Sequence, residues 1–130
     1  MKPKYTVVFC DDIRQETSGK NILIGVYSGD LLPAVVPGSF PLSVYIKVQG
    51  LSGHHRFRMK LTSPNGHIAM EIEDEVEFVP ESDSLPLSFQ NAVIQVESAG
   101  KITVEFTLDD NDPEIIGELA VHIPQTSPAA

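Results

Sequence analysis

Charged and apolar residues alternate over two neighbouring stretches of this chain. Arg56, Arg58 and Lys60 are spaced by Phe57 and Met59. After a short turn, Glu71, Glu73, Glu75 and Glu77 are spaced by Ile72, Asp74 and Val76. A period of two belongs to an extended strand with one wet face and one buried face. The intervening Thr62-Ser63-Pro64-Asn65-Gly66 carries the Pro and Asn-Gly chemistry of a tight turn. The pattern therefore predicts an antiparallel hairpin with opposite charges across its wet face, in one of two registers. If Thr62 pairs with His67, Arg58 faces Glu71 and Arg56 faces Glu73; a slip of two residues sets Lys60 against Glu71 and Arg58 against Glu73. A slip of one would turn Phe57, Met59, Ile68 and Ile72 to solvent, so the apolar pattern forbids it. Asp74 alone falls on the apolar side, which calls for a bulge, a sheet margin or a buried carboxylate with a partner.

The rest of the chain reads as further short strands with turn residues between them, and no helical period competes. Lys4 to Cys10 and Asn21 to Tyr27 are apolar on both faces, as central strands are. Leu42, Val44, Ile46 and Val48 alternate with polar residues, as do Ile102, Val104, Phe106 and Leu108. Leu85 to Phe89 and Ala92 to Val96 give one interrupted strand or two short ones. Asp109-Asp110-Asn111-Asp112-Pro113 turns the chain towards a last strand through Leu119, Val121 and Ile123. Pro33, Pro37 and Pro41 place Leu32 to Pro41 on an edge or on a crossing between sheets. About seven to nine strands at this spacing predict an all-β fold, a two-sheet antiparallel β-sandwich of immunoglobulin-like or C2-like shape. One domain is expected over residues 1–123, with a flexible tail over 124–130.

Charge changes the picture more than composition does. The 130 residues carry a net charge of −9, yet unevenly. Residues 1–60 hold eight basic and four acidic side chains, and residues 61–130 hold one basic and fourteen acidic. An acidic surface repels phosphate backbones, so neither nucleic acid nor an anionic membrane is an expected partner. The single cysteine, Cys10, follows Val7-Val8-Phe9 and reads as a buried core residue. No apolar run has the length of a membrane span or the form of a secretory leader, so the expected location is cytoplasmic.

Candidate chemistry is sparse. Asp109, Asp110 and Asp112 form an acidic turn that could offer oxygen ligands to calcium or another divalent cation, but the spacing is not that of an EF-hand, and Asp and Asn are ordinary turn residues. His54, His55, His67 and His122 do not have zinc-site spacing, and neighbouring His54 and His55 point to opposite faces. The chain has no nucleophile elbow, phosphate-cradling glycine loop or His-Glu-x-x-His motif, and without Trp it offers few platforms for sugar rings. The expectation is a protein that is not an enzyme and has no cofactor. Charge pairing within the hairpin leaves Glu75 and Glu77, continuing to Glu81 and Asp83, as the acidic stretch for a partner to meet.

One block carries a resemblance. Phe9-Cys10-Asp11-Asp12-Ile13-Arg14-Gln15-Glu16, then Gly19-Lys20 and Leu23-Ile24-Gly25-Val26-Tyr27, resembles a family of small bacterial proteins catalogued only as a domain of unknown function. The resemblance implies a small β-sandwich and brings no reaction with it. It draws attention to Asp12, Arg14 and Glu16, which read either as a salt-bridged turn or as an exposed recognition loop. The expected function is accordingly a non-catalytic protein-interaction or scaffold module, self-associating through an uncapped edge strand or docking a protein partner.

Overall fold

In the computed structural model, which describes residues 3–33, 36–78 and 84–123, the chain is all β. Among the described residues eight strands follow one another: β1 (Lys4–Gln15), β2 (Asn21–Val26), β3 (Gly38–Gln49), β4 (Gly53–Thr62), β5 (Ile68–Phe78), β6 (Ser84–Val96), β7 (Gly100–Leu108) and β8 (Glu114–Val121). They make two antiparallel sheets of four, in the orders β2-β1-β3-β6 and β5-β4-β7-β8. This is a two-sheet sandwich, as the periodicity predicts. No helix among the described residues is long and apolar enough to cross a membrane. The tail over 124–130 lies outside the described residues.

Alternation builds the core. Leu42, Val44 and Ile46 of β3 are fully buried, as are Met59 and Leu61 of β4 and Ile102 and Val104 of β7. Each such side chain contributes on the order of 1.5–3 kcal/mol relative to an exposed one. Three aromatic rings tie the layers together: Phe57 stacks on Phe106 at 5.4 Å and meets Phe89 of the opposite sheet edge-on at 6.3 Å. The segment after β2 closes one side, where Leu31 is buried and its amide donates to the Ala120 carbonyl of β8.

The charged hairpin takes the second of the two registers, with Lys60 opposite Glu71 and Arg58 opposite Glu73. A register shift between Leu61 and Thr62 accommodates the turn. That turn closes with the Ser63 amide on the His67 carbonyl at 2.7 Å, and Gly66 sits at φ +88°, a left-handed conformation that suits glycine. Asp74 lies at a sheet margin: it is exposed on the edge strand β5, where its carboxylate accepts from the Glu75 amide. Ile68, assigned to the buried face by the pattern, is 47% exposed at the start of that same edge.

One further reading is corrected, and one left with two alternatives is decided in favour of a single interrupted strand. β2 is an edge strand, not a central one. Ile22, Ile24 and Val26 are 43%, 41% and 50% exposed, and among the described residues β1 is the only strand paired with β2. The interrupted stretch after residue 84 is one strand, β6, kinked where the β3 register shifts at Ser43 and where Asn91 adopts φ +59°. Residues 34–35 of the proline-rich segment lie outside the described residues, and Pro41 behaves as its chemistry requires. Pro41 stands in β3 beside β6, at a point where β1 has already left the other side, so the strand is locally an edge.

Candidate functional site

β1 divides its length between two neighbours. Lys4 to Cys10 pair with β3, whereas Cys10 to Gln15 pair with β2. The β1–β2 arm therefore departs from the sheet at Cys10 and leaves a fork between itself and the start of β3. Ser43 sits buried in the crotch, where its hydroxyl donates to the Asp11 carbonyl at 3.4 Å and accepts from the Asn91 amide at 3.3 Å. The Gln90 side chain reaches across to the Ile13 carbonyl. Cys10 is fully buried beside it, and burial, then the Asp11 and Asp12 charges, push its thiol up and keep it protonated.

A cleft of about 380 Å³ opens at this fork, lined by Asp11, Tyr27, Leu31, Pro33, Phe40 and Pro41 among others. The Tyr27 hydroxyl donates to Asp11 Oδ1 at 3.0 Å. Burial, and then that bond, push the Tyr27 phenol up to about 12, so it remains a donor at neutral pH. Gly25 makes the arrangement possible. It stands at φ +68°, and a Cβ placed there would collide with the Asp11 carboxylate. The cleft thus presents one carboxylate and one phenol among mostly apolar walls, the composition of a binding surface. Asp11, Gly25 and Tyr27 all come from the block that carries the family resemblance.

β2 borders this region with a row of apolar side chains. Ile22, Ile24 and Val26 share one face because alternate residues of a strand do, and they lie across from Arg14, Asp12 and Cys10. Asp12 and Arg14 are engaged with each other at 3.2 Å, and Asp12 also accepts from the Ile13 amide at 2.8 Å. The Glu16 amide donates to the Lys20 carbonyl and closes the turn, while its side chain is exposed.

The opposite sheet holds the charged residues. Lys60 reaches Glu71 at 4.0 Å and Arg58 reaches Glu73 at 3.6 Å, both exposed pairs of the kind worth about 0–1 kcal/mol. Glu75 is approached by His54 at 3.6 Å. Glu77 faces His54 across the ladder, and Glu81 and Asp83 lie outside the described residues. Arg56 turns away from β5 and meets Asp110 at 2.8 Å.

Asp109 and Asp110 are engaged within the chain. Asp109 accepts from the Arg56 amide at 2.9 Å and bonds His55 Nδ1 at 2.7 Å, while His55 Nε2 faces the Ser52 carbonyl at 2.9 Å. Asp112 is exposed beyond the turn. Among the described residues no group of three His, Cys, Asp or Glu side chains is placed to hold a metal ion. Sequence reasoning missed both the His55–Asp109 pair and the exposed row on β2. Asp109 is 54 residues from His55, so no local pattern announces the contact.

These features define a two-sheet antiparallel sandwich with a forked edge. The chain belongs to a family described as a family of unknown function (DUF6941), whose profile matches residues 5–121. No curated protein matches it.

Proposed function

We propose that this protein is a non-catalytic interaction module whose docking element is the edge of β2 that no other described strand pairs. The observation that carries the reading is the row Ile22, Ile24 and Val26, each more than two fifths exposed on an edge strand without Pro or charge. Natural sheets blunt such edges with charge, Pro or a covering segment, and an edge left open is a template for strand addition. β5 and β8 carry glutamates, and β6 carries Pro86 and a kink. The strand order also favours the immunoglobulin-like shape. With β2 set aside, β1-β3-β6 faces β5-β4-β7-β8, which resembles the sheet membership of that Greek key. β2 is then an addition to the sandwich, and it is the strand on which three exposed apolar side chains follow at alternate positions.

The test is affinity capture from the host's own extract with wild type, Ile24→Lys and Ile68→Lys. Ile68 is 47% exposed on the other sheet, so its variant controls for the new charge. Partners held by wild type and Ile68→Lys but lost with Ile24→Lys support the reading. It fails if capture is indifferent to β2 and the protein also does not associate with itself.

A further inference from the structure

We infer that the occupant of the β2 edge is a second copy of this chain, joined antiparallel so that Ile24 lies opposite Ile24; this rests on the reading of β2 as the docking element. The twofold arrangement sets Ile22 of each copy against Val26 of the other. The three exposed side chains per copy then form one strip of six, and the two β2-β1-β3-β6 sheets become a single continuous sheet of eight.

Charge disfavours a second copy at the β5 and β8 edges, and Pro86 with the kink disfavours one at the uncharged β6 edge, which leaves β2. Strands β1, β2, β3 and β6 together hold three basic and two acidic side chains, whereas β4, β5, β7 and β8 hold four basic and eight acidic. Self-pairing of β5 would bring the row Glu71, Glu73, Glu75 and Glu77 against its own copy, and β8 would do the same with Glu114 and Glu118. β2 has no charged residue between Asn21 and Val26. Its flanks are complementary under the same twofold. Antiparallel pairing about Ile24 sets Lys20 of one copy opposite Ser28 of the other, two residues from Asp30, whose carboxylate is also held by His122 Nε2 of its own chain at 2.6 Å. Lys20 has no ion-pair partner among the described residues of its own chain.

The strip is short, well under the roughly 1,200 Å² that stable interfaces bury, so the dimer is a weak one with a dissociation constant on the order of 0.1–1 mM. Multi-angle light scattering or sedimentation equilibrium over about 10 μM to 1 mM tests it. The wild-type mass is expected to climb from 14.2 kDa towards twice that value, and Ile68→Lys to follow the same curve. Ile24→Lys is expected to remain at the monomer mass with an unchanged circular dichroism spectrum, and Lys20→Glu to weaken association several-fold. A dimer that survives Ile24→Lys places the contact elsewhere and overturns the inference. A wild type monomeric throughout also overturns it. In that case β2-dependent capture of a different protein would leave the interaction reading standing, and the lack of such capture would remove both.

Discussion

His55 is held between two oxygens, Asp109 Oδ2 and the Ser52 carbonyl, so both ring nitrogens have to donate. Only the imidazolium does that; a neutral ring leaves one lone pair against an acceptor. The Asp109 bond accordingly raises the His55 pKa from 6.5, and the bond to His55 lowers that of Asp109 from 3.8. A raised histidine stabilises the fold fully below 6.5, and this is lost as pH climbs through the folded value; a lowered aspartate stabilises it above 3.8, and this is lost as pH falls through the folded value. The pair therefore contributes most between those limits. Asp109→Asn is the informative change, because asparagine tolerates the φ of +52° at this position while removing the charge and one of the two acceptor oxygens. It is expected to cost about 1 kcal/mol near pH 5.5 and to return the His55 NMR titration towards its ordinary value. A titration displaced upwards as far in the variant as in wild type would refute the pairing, since the Ser52 carbonyl accounts for only a lesser part of the rise. Gly25 offers a second residue-scale test. Gly25→Ala meets both a left-handed φ and the Asp11 carboxylate, and should cost about 1–3 kcal/mol in urea unfolding while loosening the Tyr27–Asp11 contact. At Gly29 nothing lies within 4 Å of an added Cβ, so Gly29→Ala should be close to neutral.

The elements show how far local pattern reaches. β3, β4 and β7 are legible because a period of two records one buried face, and the β4–β5 hairpin is legible because its turn lies between its strands. Their side chains narrow the register to two choices, and the shift at Leu61 decides between them. β2 is misread for a physical reason: a strand apolar on both faces has the same sequence whether it lies at a sheet's centre or forms an edge. Which it is depends on β1 leaving β3 at Cys10, a fact of long-range pairing that no window of residues contains. The Asp11–Tyr27 cleft is hidden likewise, since its two polar groups meet only once the β1–β2 register is set. Where the sheets close on each other, β8 approaches β1 so nearly that a Cβ on Gly117 would come within 2.8 Å of Val7 Cγ1. Val7 is β-branched and partly buried, so it cannot swing aside freely. Gly117→Ala is expected to destabilise by about 1–3 kcal/mol, read as a lower urea midpoint with an unchanged slope. Lys60→Ala removes only an exposed pair and should cost less than about 1 kcal/mol. If the two variants were equally damaging, the ranking of close packing above surface charge would be wrong.

For the molecule as a whole, the acidic excess lies mainly on one sheet, and the proposed contact lies on the edge of the other. Two copies meeting at β2 still bring together two bodies of net charge −9. Their mutual repulsion opposes association at any distance shorter than the screening length, which falls from about 30 Å at 0.01 M salt to about 8 Å at 0.15 M. Against it stands the attraction of Lys20 for the other copy's Asp30, an exposed pair worth no more than about 1 kcal/mol. The apolar strip itself is indifferent to modest salt. Repulsion between whole molecules should therefore outweigh the local pair, and raising salt across that range should strengthen self-association a few-fold at pH 7. Lowering pH towards 4.7, where the net charge vanishes, should act in the same direction. Light scattering on wild type and Ile24→Lys side by side separates this from nonspecific precipitation, because the variant should show neither dependence. Association that weakens steadily with salt would mean that Lys20 and Asp30, rather than the Ile22-Ile24-Val26 row, hold the copies together.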